Sequence, residues 1–399
     1  MAEVSVVIVC MNRPDILFPC LDSIREHTSV SHEVWVVAYL FSPENLEKLK
    51  AAYPYIHIVE STELRGFSEN NNLALRQIQS PYCFILNDDT LMSEPVIDRL
   101  WADLRSLPVN AAAISPCIRF ADGRIQTCGR TRWTPLRYAR HYLHLVDEGK
   151  MGEGVCSRIA SASLRPLPPS LTAGPSRSGR DTLSPLSSPE GDIFPIGAGR
   201  GWPEIREHTP SPVMPGHDTV MPGSDQVHGS DIVMPCSDRA SHVIPSATPV
   251  IPSEASVSQT YTLNGACFLI KTEVFKKLEW FDERYFFTPE DIALGHALND
   301  AGYTVWVNPE VSITHLAGGS VSAMEQAIKP ARVRGNMIFY GEPLWLKCFV
   351  WCFEALRAMS YLVRPRTPRN AVMRQTARNV MASVFSSLSP KELFIKFRP

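Results

Sequence analysis

Between Val4 and Cys117 short apolar runs alternate with segments of helical period, and this alternation restricts the fold more than any other feature of the chain. Residues 4–10, 34–39, 56–59, 82–86 and 111–117 are apolar, largely β-branched stretches of strand length. Helix signals separate them. Pro14 stands where a helix can begin, with Ile16, Leu17, Leu21 and Ile24 on helical spacing, and further helices are expected over 43–53, 72–78 and 95–104. Continuously apolar strands joined through helices are buried on both faces. The order therefore predicts an α/β fold with a mostly parallel, doubly wound sheet. Asp122-Gly123 predicts a hairpin turn after the last of these strands.

Residues 156–258 break the pattern, holding 16 of the 33 prolines and two aromatics, Phe194 and Trp202. A loose Val-Met-Pro or Val-Ile-Pro unit recurs there at irregular spacing. Such a stretch cannot bury enough apolar surface to offset its ordering entropy, so it is expected to be a disordered insertion between two folded halves. His217, His228 and His242 within it are read as solvated loop residues rather than ligands. Folded signals resume at Tyr261. A strand over 263–270 carries Gly265 and Ala266, helices follow over 272–278 and 290–301, and short strands over 303–307 and 311–315. The expected divisions are 1–150, 156–258, 260–335 and a helical, basic tail over 336–399.

Within that tail, residues 344–363 are rich in Trp, Phe and Leu, and Lys347, Glu354 and Arg357 fall on one narrow helical stripe. The stretch is too charged to span a membrane. Two readings stand side by side. One is an interfacial helix, followed by a segment with nine Lys or Arg residues and one acid from 357 to 398, suited to an anionic membrane surface. The other is a helix packed on the domain core. A net charge of -2 over the whole chain argues against a nucleic-acid partner. The ten cysteines include no Cys-x-x-Cys pair and are read as reduced, and no signal peptide is visible. The expectation is a cytoplasmic protein, at most peripheral at the inner face of the cell membrane.

Chemistry concentrates at four places. The run 82–86 stops at Asn87, Asp88 and Asp89. Ligands of open α/β sheets sit outside the carboxyl ends of strands, and acidic oxygens there can hold Mg²⁺ or Mn²⁺ against a diphosphate. A polar turn closing a strand accounts for the same residues. The others are Asn12-Arg13 after the first strand, the loop from Gly66 to Asn70, Asn71 and Asn72, and the pair Glu290-Asp291 with the distant His315.

In this order the motifs resemble family 2 of the glycosyltransferases, of GT-A fold, and its rhamnosyltransferase-like branch in particular. The resemblance rests on residues 4–13, Cys20-Leu21-Asp22-Ser23-Ile24, Gly66-Phe67-Ser68-Glu69-Asn70-Asn71-Asn72 and Asn87-Asp88-Asp89-Thr90. In the second half it rests on Asn264-Gly265-Ala266, Phe281-Asp282-Glu283, Glu290-Asp291, and His315 with Gly318, Gly319 and Ser320. It implies a nucleotide-sugar half, a smaller acceptor-side half, and inverting transfer from a nucleotide-diphosphate sugar to a hydroxyl of a glycan or lipid-linked saccharide. It implies Asp89, Asn87 and His315 as ligands of Mg²⁺ or Mn²⁺. Asn12, Arg13, Gly66, Asn71, Asn72 and Asp88 would meet the donor. Asp291 would be the general base, with Glu290 positioning the acceptor. Two positions depart from the pattern: Ala38-Tyr39 replaces an Asp-Asn pair after the second strand, and Ala293 replaces a second Asp beyond Glu290-Asp291. Those departures also suit a member that binds nucleotide sugar or a protein partner without catalysis. A nucleotidyltransferase is disfavoured, since no Gly-rich, Lys-bearing phosphate loop follows the first strand.

Overall fold

In the computed structural model residues 1–143, 257–316 and 324–398 are described. The expected insertion up to residue 256, with its three histidines, and Gly318, Gly319 and Ser320 lie outside them. Strands β1 (Val4–Met11), β2 (His32–Tyr39), β3 (His57–Ser61) and β4 (Tyr82–Asn87) form a parallel unit in the order β3-β2-β1-β4. Helices α1 (Pro14–His27), α2 (Pro43–Ala52), α3 (Phe67–Leu75) and α4 (Val96–Ser106) belong to the same region, with β5 (Thr90–Leu91) between β4 and α4. Then come β6 (Ala111–Arg119), β7 (Ile125–Thr127) and α5 (Pro135–Tyr142). The second half supplies β8 (Ser258–Thr260), β9 (Cys267–Lys271), α6 (Thr272–Lys277), α7 (Glu290–Asp300) and β10 (Thr304–His315). Four helices close the chain: α8 (Glu325–Phe339), α9 (Leu344–Ser360), α10 (Pro368–Val384) and α11 (Pro390–Phe397).

One ten-stranded sheet joins both halves, in the order β3-β2-β1-β4-β9-β6-β10-β5, with β7 beside β6 and β8 beside β10. Most of the paired length is parallel, and β9 enters antiparallel between β4 and β6. Alternation along the strands divides the core into two layers. Val6, Ile8, Val36, Phe84 and Leu86 pack with Leu17 and Leu21 of α1, Leu49 of α2 and Leu100 of α4. Val7, Val37, Ile85 and Phe268 pack with Leu75 of α3, Phe275 of α6 and Leu294 of α7. This two-sided burial is what the continuous apolar runs required.

Several elements differ from expectation for identifiable reasons. Helix α3 begins five residues earlier, because the Gly66 N–H at its N-terminus donates to the Glu69 side chain, Oε2, at 2.8 Å. Asn70, Asn71 and Asn72 are therefore inside the helix and not ahead of it. The strand expected over 263–270 is ordered as a strand only from Cys267, leaving residues 263–266 as a loop. The two short strands expected over 303–315 are one, β10, which bulges between Asn308 and Ser312 around Pro309, a residue with no N–H for the ladder. Helix α8 runs across the expected division at 335/336. Cys128 is disulfide-bonded, which overturns the reading of ten thiols; its spacing along the chain carries no pairing signal.

The stripe of charge on α9 is turned inward. Glu354 is fully buried, whereas Leu344, Trp345, Leu356 and Met359 of the same helix are exposed. Leu346 and Val350 pack against Tyr138 of α5, Val333 and Met337 of α8 and Val380 and Val384 of α10. The helix is thus packed on its neighbours by one face and presents an apolar face outward. Among the described residues no helix is long and apolar enough to cross a membrane.

Candidate active site

The parallel register sets Val9 opposite Asn87 and Met11 opposite Tyr39, so Asn12, Arg13, Asn87 and Asp88 lie along one carboxyl edge. Antiparallel pairing of β10 with β5 sets His315 opposite Thr90 and delivers the histidine to the same edge. His315 Nε2 is 3.0 Å from Asp89 Oδ1, and Asn87 Nδ2 is 3.5 Å from the same nitrogen. His315 Nδ1 lies 2.8 Å from Gln126 Oε1 on β7. A carbonyl oxygen can only accept, so Nδ1 carries a proton there, and in the neutral ring the Nε2 lone pair faces Asp89. Two acceptors at that distance need a proton or a cation between them. Asp89 Oδ1 is buried and, among the described residues, has no partner other than His315 Nε2. Carboxylate and imidazole are donors that suit Mn²⁺ or Mg²⁺, and Asn87 stands beside them with its amide nitrogen toward His315. The residues thus fit a divalent ion, although the described residues hold no group of three or more His, Cys, Asp or Glu side chains that could do so alone.

Asp88 lies beside Cys10 and Arg13. Burial, reinforced by the charge of Asp89, pushes its carboxyl up to about 6. Arg13 is turned along the surface, donating through Nε and Nη2 to Asp15 at 2.9 and 2.8 Å. Asn12 adopts φ 51°, a left-handed conformation that Asn tolerates. Its Oδ1 accepts from Ser42 N and Asn45 Nδ2 and so ties β1 to the start of α2. Tyr39 is buried, and its hydroxyl accepts from Arg65 N–H.

The Gly66-to-Asn72 segment is occupied in joining the halves. A Cβ on Gly66 would stand 2.4 Å from the Phe286 carbonyl oxygen. Asn72 is fully buried: its Nδ2 donates to Phe281 O at 2.9 Å and Glu283 Oε1 at 2.8 Å, and its Oδ1 accepts from Phe281 N at 3.1 Å. Asn71 is buried as well, and its Nδ2 donates to Phe67 O. Asn72 thus holds the 281–283 segment against α3, while the Asn71 amide is spent within the helix.

Glu290 and Asp291 open α7. Asp291 Oδ2 accepts from Arg130 Nη1 at 2.9 Å and from the Gly265 N–H at 3.1 Å, while Oδ1 accepts from Ile292 N. A carboxylate has about four lone-pair positions, so Oδ1 keeps one for a further donor. Glu290 is buried, its Oε2 has no hydrogen-bond partner, and burial next to Asp291 pushes its carboxyl up to about 8. Arg130 is the residue that sequence reading missed. Two backbone routes tie this pair to the Asp89 group. Asn87 N donates to Ala266 O at 2.9 Å, one residue from Gly265. Gln126 and Arg130 lie four positions apart on the segment that leaves the hairpin turn at Asp122-Gly123. Asp291 and Arg130 stand at one side of a cleft of about 740 Å³ built from α5, α8 and α9; Asp89 and His315 are not in its wall.

Comparison with known proteins bears on the same residues. The family model described as Glycosyl transferase family 2 matches residues 5–157, the span that carries Asn12, Gly66, Asn87 and Asp89. Two Mycobacterium tuberculosis proteins, from strains CDC 1551 / Oshkosh and ATCC 25618 / H37Rv, are each named N-acetylglucosaminyl-diphospho-decaprenol L-rhamnosyltransferase and are 38% identical over 91 residues. That match covers 23% of this chain and 29% of each relative, so the chain spans less than a third of the curated relatives it matches. Among solved structures, GalNAc-T7 with UDP, GalNAc and Mn²⁺ aligns at 11% identity and TM-score 0.45, over 82% of this chain and 46% of that one. The Pyrobaculum calidifontis mannosyltransferase PcManGT with GDP-Man and Mn²⁺ aligns at 12% identity and TM-score 0.42, over 99% and 78%.

Proposed function

We propose that this chain, which carries a family 2 glycosyltransferase sequence over 5–157, is a metal-dependent, inverting glycosyltransferase. It moves a sugar from a nucleotide-diphosphate donor to a hydroxyl of a glycan or lipid-linked saccharide. The observation that supports this most is the linkage of Asp89 and His315 to Asp291 through Asn87–Ala266 and Gly265, residues otherwise some two hundred positions apart.

Asp89, Asn87 and His315 would hold Mg²⁺ or Mn²⁺, which when bound supplies Lewis-acid stabilisation of the charge that grows on the departing diphosphate. The chain's own residues do the rest. Gln126 fixes the ring of His315 so that Nε2 faces Asp89. Arg130 and the Gly265 N–H keep Asp291 oriented, and its Oδ1 accepts the proton of the attacking hydroxyl. Glu290, neutral at pH 7, donates its O–H to the acceptor and so selects its orientation. One base and one displacement invert the anomeric centre. Arg13 and Asp88 flank the donor side. The apolar outward face of α9, with Arg364 and Arg366 just beyond it, rests on an anionic membrane surface where a lipid-linked acceptor is found.

The test is turnover of nucleotide sugars with Mn²⁺ by the full chain, compared with Asp89→Ala and Asp291→Asn. Loss of about 10³-fold or more is expected in each. Undiminished turnover in both variants would reject the assigned roles.

A further inference from the structure

The cleft beside Asp291 has a second chemical character, set by α8 and α9. Lys329 and Arg332 of α8 and Arg357 of α9 all line it. Two of them are fastened from behind by one carboxylate. Glu354, fully buried, accepts from Lys329 Nζ at 2.8 Å, from Arg357 Nη1 at 3.2 Å and from the Tyr142 hydroxyl at 2.6 Å. A buried acid that anchors two cations at a cavity wall fixes where their remaining N–H groups point. Arg332 is different: its Nε is buried and makes no hydrogen bond among the described residues. Its charge acts on Glu290, which places it near the acceptor-side pair. Glu325 also lines the cleft, so with Glu354 the cluster is left with one positive charge in excess.

The remaining wall is aromatic: Trp133, Tyr138, Tyr142, Phe353 and Tyr361. Tyr361 adjoins Leu362 and Val363, which are 61% and 89% exposed. A molecule in the cleft thus meets Asp291 with its partner Arg130, the three cations Lys329, Arg332 and Arg357, and an aromatic wall whose Tyr361 leads on to exposed apolar residues. Anchored guanidinium and ammonium groups with spare donors match phosphate oxygens, and a diphosphate can span more than one of them.

We propose that Lys329, Arg332 and Arg357 form the binding site for a diphosphate group on the acceptor, whose saccharide end reaches Asp291 and whose apolar tail leaves over Leu362 and Val363. This deepens, and rests on, the glycosyltransferase reading. The site is separate from the Asp89–His315 group, so two diphosphates, one on the donor and one on the acceptor, would be held by different residues.

The experiment measures binding of farnesyl diphosphate to the full chain by calorimetry, beside farnesyl monophosphate, farnesol, and phosphatidylglycerol vesicles. Arg332→Gln is the principal variant because it breaks no ion pair seen in the structure, and Lys329→Gln is the second. The expected order is diphosphate tighter than monophosphate tighter than farnesol, with affinity for the diphosphate falling about tenfold in Arg332→Gln. Affinity for UDP, GDP or dTDP with Mn²⁺, read on the same preparations, should stay within about twofold of the parent. Equal diphosphate binding by the parent and both variants would overturn the site. So would farnesol binding as tightly as the diphosphate, or vesicle binding with the same dependence on Arg332, which would assign these cations to the bilayer. Failure of the parent to bind any nucleotide, with the diphosphate response intact, would overturn the donor reading and leave this site standing.

Discussion

Replacing Glu290 by Gln should make the stability of the protein less dependent on pH, and the size of the change follows from burial. The Glu290 carboxyl ionises near 8, against 4.5 for an exposed glutamate. Its folded-state value is raised. The stability it permits is therefore fully present below pH 4.5 and is lost as pH rises toward about 8, because the unfolded chain ionises first. Each unit corresponds to about 1.4 kcal/mol, so the penalty grows from under about 1 kcal/mol at pH 5 to about 3 kcal/mol at pH 7. Gln cannot ionise and escapes that penalty. It also leaves an amide where Glu290 Oε2 has no partner, a cost of about 1–3 kcal/mol that does not vary with pH. The variant should be no more stable than the parent at pH 5 and should gain on it by about 2 kcal/mol between pH 5 and 7, levelling above pH 8. Denaturant unfolding of both proteins at pH 5, 6, 7 and 8.5 reads this directly. Parallel stability profiles across that range would refute the assignment of a buried, neutral Glu290. In the same variant transfer to acceptor should fall more than donor hydrolysis, as follows from the acceptor-positioning role proposed for Glu290.

Two further outcomes test the joint between the halves. Asn72→Ala removes three hydrogen bonds and strands the N–H and C=O of Phe281, and should lower stability by about 2–4 kcal/mol, read as a shift of the denaturation midpoint; a loss under about 1 kcal/mol would show the joint to be adaptable. Gly66→Ala has no strain at its φ of -81°, yet sets a methyl against the Phe286 carbonyl, and should cost about 1–3 kcal/mol through displacement of the 281–286 segment. Unchanged stability with an unshifted near-ultraviolet spectrum would contradict it.

Where the chain could be read without coordinates, a single physical signal was decisive. The runs at 4–10 and 82–86 are apolar at every position, which only a strand covered on both faces explains, and the structure covers them on both faces. Asn87 and Asp89 were legible because polarity begins abruptly where such a strand ends. The misplacements share a cause: long-range contacts outvoted local ones. The asparagines of 70–72 look like a helix start, but Glu69 caps the helix earlier and the amides serve Ser61, Phe67 and Phe281. Helix α9 carries a stripe of charge whose period leaves an interfacial helix and a core-packed helix equally open, and the structure packs it on its neighbours. Besides Arg357 one turn away, Lys329 and Tyr142 bond to the buried Glu354, and neither of these two is adjacent to it in sequence. Arg130 carries no mark at all. The one usable signal was the turn at Asp122-Gly123, which sends the chain back along β6 and so brings residues 126–130 toward the acceptor side.

That hairpin sets how the two halves of the proposed chemistry are spaced. Gln126 orients His315, and Arg130, bridged to Thr262 beside the 263–266 loop, orients Asp291. Both side chains leave one short segment whose strand, β7, has three residues and, among the described residues, pairs with β6 alone. Beyond that ladder the segment is held by the Tyr261 and Thr262 N–H groups, which donate to Arg130 O, and by the side chains of Gln126 and Arg130. Any ligand that draws His315 or Asp291 toward itself therefore acts on the same piece of backbone. Under the roles proposed for His315 and Asp291, a substitution at Gln126 is expected to lower transfer to acceptor as well as Mn²⁺-dependent donor binding, both read on the same variant, because Gln126 and Arg130 leave the same short segment.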